Sequence, residues 1–341
     1  MPARRLAPGK LPPDLLAALL RRGVIRDARV LVGPGIGRDA AVIDFGPTLL
    51  VAKTDPITFA TDEIGWYAVQ VNANDIATMG ARPRWFLAAA LLPERGTTTE
   101  LVERIHADLV AACEALDIAL VGGHTEITVG LDRPIVVGQM LGEVAREALV
   151  WPGDAQPGDA LLLTKGLSVE GVALLARERR AEVARAFGEP FAARCAGFLR
   201  RPGISVVRDS RCACAAGGVR AMHDPTEGGL ATALRELAEA SGCGLVVREG
   251  DIPVYPETRR LCGLFGLDPM GLIASGSLLI AVDAARAEAV MAAVRGEGID
   301  CARIGELTAA ERGCRMVGGS GERDLPVFER DEIARVFEGA G

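Results

Sequence analysis

The chain has 341 residues, of which 49% are hydrophobic and only 4% aromatic, and it carries a net charge of −7. With a mean hydropathy of +0.24 and a pI near 5.3, it shows no basic stripe or aromatic platform, which argues against a nucleic-acid partner. No run approaches the roughly 18 uninterrupted apolar residues of a membrane helix. The length predicts two domains with aliphatic, Ala-rich cores. The Met-Pro-Ala-Arg-Arg-Leu start lacks the apolar run of a signal peptide, so a soluble, cytoplasmic protein is expected.

Taken in chain order, Pro12-Pro13 precede a short helical segment, Leu15 to Arg22. Residues 32–44 hold a glycine-rich turn, Gly33-Pro34-Gly35-Ile36-Gly37, leading into a strand. A second strand, Thr48 to Thr54, ends in Asp55-Pro56. Gly65 to Pro83 reads as a buried helix, because Ala68, Asn72, Ile76 and Met79 share one face at three- and four-residue steps. Asn72 and Asp75, three apart, meet on that helix, and Gly80 with Pro83 ends it. Polar groups inside an apolar helix cost free energy unless paired, so Asn72 and Asp75 require partners from elsewhere in the fold.

Trp85 to Leu92 is another strand. Thr97-Thr98-Thr99-Glu100 is a capping box opening a helix with apolar positions at Leu101, Ile105, Leu109, Cys113 and Leu116. Ile118 to Val121 runs into Gly122-Gly123-His124-Thr125-Glu126, and Pro134 to Leu141 is the last strand of this half. Residues 151–159 are turn chemistry and mark a boundary. Beyond it, strands at 160–164, 219–222, 244–248, 277–283 and 301–307 alternate with helices at 168–180, 184–200, 226–241, 256–265 and 285–296. Such alternation implies a layered α/β domain in each half.

Four polar clusters in the first half sit at strand ends or beside glycine, where a loop can approach a ligand. They are Asp39 after Gly35-x-Gly37, Asp55, the Asn72/Asp75 pair, and His124/Glu126 after Gly122-Gly123. Converging carboxylates with glycine-rich backbone suit Mg²⁺ bridging nucleotide phosphates, because Mg²⁺ takes oxygen ligands and shares them with phosphate. Each cluster also has a plainer reading: Gly35-Ile36-Gly37 as a turn without a full phosphate-loop signature, Asp55 as a turn closer, Asp75 as an acid satisfied by backbone donors. In the second half, His223-Asp224-Pro225-Thr226-Glu227-Gly228-Gly229 is either a helix start capped by Asp224 or Thr226, or a wall of the same cleft with His223 or Asp224 facing substrate. His106 falls on a polar helix face and reads as solvated. Of eight cysteines, only Cys212 and Cys214 are close in sequence, and their single-residue spacing fits neither a zinc nor a redox motif.

Together these clusters resemble the superfamily of aminoimidazole ribonucleotide (AIR) synthetase, hydrogenase maturation factor HypE, thiamine-monophosphate kinase and selenophosphate synthetase. The matching order is Gly-x-Asp-Ala-Ala (37–41), Thr-Asp (54–55), Asn-Asp-Ile-Ala-x-Met-Gly-Ala-x-Pro (74–83) and Gly-Gly-x-Thr (122–125). The second half is most similar to HypE, through Thr164-Lys165-Gly166, His-Asp-Pro-Thr-x-Gly-Gly (223–229), Gly266-Leu267-Asp268-Pro269 and Ala274-Ser275-Gly276. The resemblance implies a mixed α/β (α+β) fold: an N-terminal segment (1–30), an ATP-binding domain (31–150) whose sheet joins a second copy in a dimeric barrel, and a C-terminal α/β domain (151–341). It implies ATP and Mg²⁺, with Asp39, Asp55 and Asp75 as metal and phosphate ligands. Gly35, Gly37, Asn72, Gly122 and Gly123 would lie around the nucleotide, with 33–37 as a flap over it. His124, Glu126, His223 and Asp224 would serve the substrate. The activity expected is phosphoryl activation of an amide or carbonyl oxygen of a small molecule in a homodimer, with a maturation protein as further partner; the alternatives are a non-catalytic nucleotide-binding assembly factor and a small-molecule kinase. Two departures stand out. The chain ends Glu338-Gly339-Ala340-Gly341 where HypE carries a terminal cysteine, its last cysteine being Cys314, 27 residues earlier. His124 replaces the acid usual after Gly-Gly, and imidazole suits Mg²⁺ poorly; Glu126, two positions on, is the substitute carboxylate, or His124 is itself an acid or base.

Overall fold

Residues 11, 13–20, 25 and 27–337 are described by a computed structural model. The expected first helix is α1, Pro13–Leu20; Arg21 and Arg22 lie outside the described residues. The rest falls into two units, one of residues 27–33 and 39–149, the other of residues 34–38 and 150 onward together with the segment before residue 27.

The N-terminal unit is a six-stranded sheet with two helices. Its strands are β1 (Val30–Val32), β2 (Ala41–Asp44), β3 (Thr48–Ile57), β4 (Arg82–Pro93), β5 (Ala119–Thr128) and β6 (Ile135–Ala145), in the order β1-β2-β3-β6-β4-β5. All neighbours are antiparallel except β4 and β5, whose parallel pairing is made by the crossover helix α3, Thr99–Ala115. The N-cap of α3 is Thr98, whose hydroxyl accepts from Leu101 N at 3.3 Å, one residue later than the capping box placed it. Strand β3 also continues past its expected end, through Asp55 and Pro56. It can do so because β2 stops at Ala41, opposite Ala52. Beyond that point no strand among the described residues pairs with that side of β3, the setting in which a strand tolerates proline.

Helix α2, Ile64–Thr78, is buried along nearly its whole length. It lies close on the sheet because β6 carries glycine where the helix touches it. A Cβ at Gly138 would run into the Asn72 amide, and one at Gly142 into the Ile76 side chain. The four-residue step from Asn72 to Ile76 is thereby matched to a four-residue step on the strand.

The C-terminal unit is built on β7 (Ala160–Thr164), β8 (Val219–His223), β9 (Gly244–Arg248), β10 (Leu279–Val282), β11 (Cys301–Thr308), β12 (Cys314–Gly318) and β13 (Gly321–Asp324), ordered β13-β12-β9-β11-β7-β10-β8. Its helices are α4 (Val169–Glu178), α5 (Arg180–Phe187), α6 (Glu189–Ala196), α7 (Val207–Ala216), α8 (Gly229–Ser241), α9 (Pro256–Phe265), α10 (Ala287–Gly296) and α11 (Ala334–Phe337). Both faces of the sheet are covered. Leu161 and Leu163 join Leu230, Leu234 and Leu237 of α8 in one core, while Ala160 and Leu162 join Ala213, Val290 and Val294 in the other. That is why β7 is an uninterrupted apolar run.

Three features differ from expectation. The helix expected over 184–200 breaks at Gly188, where φ is 87° and Pro190 follows, into α5 and α6. Helix α7 and the β12–β13 hairpin were not foreseen. In α7 the buried face includes Asp209 and Ser210, so a hydrophobic pattern reads it as loop; the hairpin is largely exposed at the sheet edge. Cys212 and Cys214, on α7, pack against the second core with thiols pushed up by burial, as small hydrophobes do.

Candidate functional site

In the N-terminal unit, Asn72 is wholly buried and both ends of its amide are engaged. Its Oδ1 accepts from Asp55 N at 2.9 Å, and its Nδ2 donates to Asp55 O at 3.2 Å and to Ala68 O at 2.9 Å. Since β3 has lost its β2 neighbour at this point, the amide replaces the missing strand and holds the Asp55 peptide in place. Asn72 is thus positioned as a clamp on Asp55. One turn further along α2, Asp75 is 3% exposed. The Nζ of Lys53 stands 3.3 Å from carboxylate oxygens of both Asp55 and Asp75. The Asp55 side chain is one-third exposed and Lys53 about one-fifth, so the cluster is buried at its Asp75 end and open at its Asp55 end. Lys53 was missed in the sequence. The signal was there: Lys53 is two residues before Asp55, and strand alternation puts both on one face. One ammonium between two carboxylates leaves a single negative charge, and the donors are the oxygens Mg²⁺ takes.

The remaining N-terminal candidates lie on or beside other elements. Asp39 is 9% exposed, just before β2. Gly122 and Gly123 lie inside β5, where a Cβ on Gly123 would strike the Ala88 carbonyl of β4, so strand contact accounts for that glycine. His124 and Glu126, also on β5, are 3.5 Å apart with side chains 70% and 54% exposed. His106 is exposed, as expected. In the other unit, Gly37 has φ 68° and meets the Glu236 carbonyl of α8 where a Cβ would be. The Arg38 guanidinium lies over the Trp151 ring at 5.1 Å. Gly37, the last residue of the segment expected as a flap, lies against α8.

In the C-terminal unit, His223 ends β8 and its Nε2 is 2.9 Å from Glu236 Oε2. Asp224 follows, 1% exposed. Helix α8 starts two to four residues later than the Asp224 or Thr226 caps would place it: its N-cap is Gly228, with φ 82°. The Gly228 N–H donates to Asp331 Oδ2 at 2.6 Å, and Asp331 Oδ1 accepts from Ile273 N at 3.2 Å and Ile333 N at 2.8 Å. Burial still pushes the Asp331 carboxyl up to about 6 against those three donors. The Thr164-Lys165 pair is held structurally. Lys165 Nζ donates to Ser205 O, Gly276 O and Asp209, and Thr164 Oγ1 donates to Asp209 Oδ1 at 2.6 Å.

Glu170, in the first turn of α4, is 6% exposed and was not singled out in the sequence. Burial pushes its carboxyl up to about 7; a hydrogen bond from Ser275 opposes the shift, and the charges of Asp331, Glu227 and Asp224 add to it. Glu170 carries the same signal as Asp75, being the one acid in the apolar stretch Val169–Ala176. For Asp331 there was no such signal, because Glu329-Arg330-Asp331-Glu332 reads as a solvated charge run.

Residues 37–144 match the N-terminal domain of AIR synthase related proteins, and residues 156–317 match their C-terminal domain. The chain is 35% identical over 288 residues to carbamoyl dehydratase HypE of Rhodobacter capsulatus, covering 82% of this chain and 81% of that one. It is 30% identical over 312 residues to the hydrogenase expression/formation protein HupE of Azotobacter chroococcum, covering 89% and 85%. Among solved structures, hydrogenase maturation protein HypE in complex with ATP matches with a TM-score of 0.71 at 29% identity, over 87% of this chain and 90% of that one.

Proposed function

Because this chain belongs to the AIR synthase-related family, in its HypE-like branch, we propose that it is an ATP- and Mg²⁺-dependent enzyme that activates an amide or carbonyl oxygen by phosphoryl transfer. The observation that carries this reading is the Lys53 ammonium placed 3.3 Å from both Asp55 and Asp75, with Asp55 clamped by Asn72. Phosphoryl transfer asks a protein mainly for positioned charge. A fixed ammonium and two carboxylates, one of them open to solvent, supply it at a nucleotide's phosphates: the carboxylates hold the metal, and Lys53 faces phosphate oxygen. Bound Mg²⁺ would neutralise the charge of the transferring group. Asp39 is assigned to the same metal and phosphate set, and His124, Glu126, His223 and Asp224 to the substrate. The HypE solved with ATP supports the nucleotide.

We assign the working unit as a homodimer formed through β5. That edge strand runs ten residues. Its side chains are exposed along nearly all of that length, including Val121 at 52% and Ile127 at 60%, a bare edge of the kind native sheets cover. Joining two such edges closes the sheets into a barrel and covers His124 and Glu126. A maturation protein is the further partner expected of a HypE-like chain. No described helix is long and apolar enough to cross a membrane, and the eight cysteines are free thiols, as a reducing compartment keeps them; we assign the cytoplasm.

Calorimetry with Mg-ATP tests the proposal. Binding by the full chain is expected, with affinity lowered tenfold or more in Lys53→Met and Asp75→Asn. No binding by the unaltered chain would overturn it. Phosphate release with a panel of amides separates an enzyme from a nucleotide-binding assembly factor, and transfer of phosphate to a stable product would make it a kinase. Light scattering reads the dimer, which Ile127→Lys on β5 is expected to split.

A further inference from the structure

In the C-terminal unit, the start of α4, the 268–276 loop and the 223–229 turn form an acidic corner. The backbone builds it. Glu170 N donates to Ser275 O at 3.1 Å and Gly171 N to Ile273 O at 3.2 Å. Ser168, at φ 61°, turns the chain into α4, and its hydroxyl bridges Pro269 O and Leu272 O. Ala231 N on α8 donates to Met270 O at 3.0 Å, and Asp331 ties Gly228 to Ile273. Glu170 is therefore held on a frame of strand-end and helix-start backbone, the kind of support that fixes a side chain for binding.

Within that frame one atom has no answer. The Glu170 Oε2 is buried without a hydrogen-bond partner among the described residues. We propose that Glu170 is the proton-exchanging carboxyl of a ligand subsite, and that the subsite takes a nitrogen bearing a proton: an amide, amidine or ammonium group. The nearby charges that act on Glu170 are those of Asp331, Glu227 and Asp224, all negative. The one buried ammonium close in sequence, Lys165, is bound by Asp209, Ser205 O and Gly276 O. An anionic ligand would meet repulsion there. An N–H donor satisfies Oε2 and relieves the crowding of like charge, which an unsatisfied buried acceptor otherwise makes costly.

The exchange needs no co-reactant. The ligand N–H bond breaks, nitrogen keeps the electron pair, and the proton ends on Oε2. A carboxyl brought to about 7 is balanced between the two states near neutral pH, as an acid–base group must be. This subsite deepens the proposed function by naming the chemistry of the substrate end, and it rests on that reading only for the identity of the reaction.

The test uses the full chain with ¹³C-labelled glutamate carboxyls and no nucleotide. Glu170→Gln identifies the Glu170 resonance by its loss; Ser275→Ala identifies it by displacement should the first variant fail to fold. Glu170 is expected to titrate near 7. Formamidinium chloride is expected to lower that midpoint by about one unit, a tenfold change in proton affinity, whereas sodium chloride at equal ionic strength and sodium acetate are not. A midpoint in the ordinary carboxylate range, or one that formamidinium moves no more than sodium chloride does, overturns the subsite. The Mg-ATP calorimetry fails or succeeds separately, so the two readings are distinguished.

Discussion

Asp75 and Glu170 pose the same physical problem in the two units. Each is an acid set into an apolar helix, α2 or α4, and each is almost wholly buried, at 3% and 6% exposure. The chain keeps them in different ways. Asp75 is given a counter-charge, Lys53, shared with Asp55. Glu170 is driven toward the protonated form by burial first and by the charges of Asp331, Glu227 and Asp224 after it, against a hydrogen bond from Ser275. Burial opposes charge in both places, and what differs is whether an ammonium lies within a few ångström. An ion-paired acid is suited to holding a metal and phosphates, and a proton-poised acid is suited to passing a proton.

The largest effect should come from removing the counter-charge. Lys53→Met leaves Asp55 and Asp75 facing each other, and is expected to cost about 3 kcal/mol in urea unfolding, the scale for breaking a largely buried pair. Adding Asp75→Asn should recover most of the loss. If Lys53→Met unfolds like the parent, the ammonium is not what keeps Asp75.

A pH series breaks the comparison from the other side. The folded state raises the Glu170 carboxyl from 4.5 to about 7, so it binds a proton more readily than the unfolded chain does. Its contribution is then present below pH 4.5 and is lost as pH rises through 7. Relative to the parent, Glu170→Gln should gain up to about 3 kcal/mol of stability between acid and mildly alkaline pH. Thermal melts across that range decide it; a difference that does not change with pH means Glu170 is not protonated by the fold.

Asn72→Ala should cost about 2 kcal/mol through the Asp55 N–H and carbonyl left without their clamp, and should also weaken Mg-ATP binding by moving Asp55. Loss of stability with unchanged nucleotide affinity would separate the clamp from the site. The smallest effect, about 1 kcal/mol, is expected for Thr98→Ala at the N-cap of α3, with nucleotide affinity unaltered. It calibrates the larger numbers.

Much of this was legible beforehand, and the limit falls at particular residues. The period of Ala68, Asn72, Ile76 and Met79 identified α2 because helix periodicity is local, and the same pattern stated that Asp75 must be answered. The glycine of Gly122-Gly123 was visible, but not its cause. A strand carbonyl from Ala88 and a ligand make the same demand for a missing Cβ. Asp209 and Asp331 were illegible because each joins chain segments distant in sequence: Asp209 meets Lys165 across 44 residues, and Asp331 meets Gly228 across 103.

The sequence by itself determined the element types, the near-complete burial of α2, the family, and the fact that a buried acid there needed a partner. Only the tertiary structure decided that Lys53 stands against Asp75 and that no ion pair is formed by Glu170 among the described residues. Helix and strand patterns are carried by neighbours along the chain. The state of a buried carboxylate depends on distances of a few ångström between segments that only folding brings together.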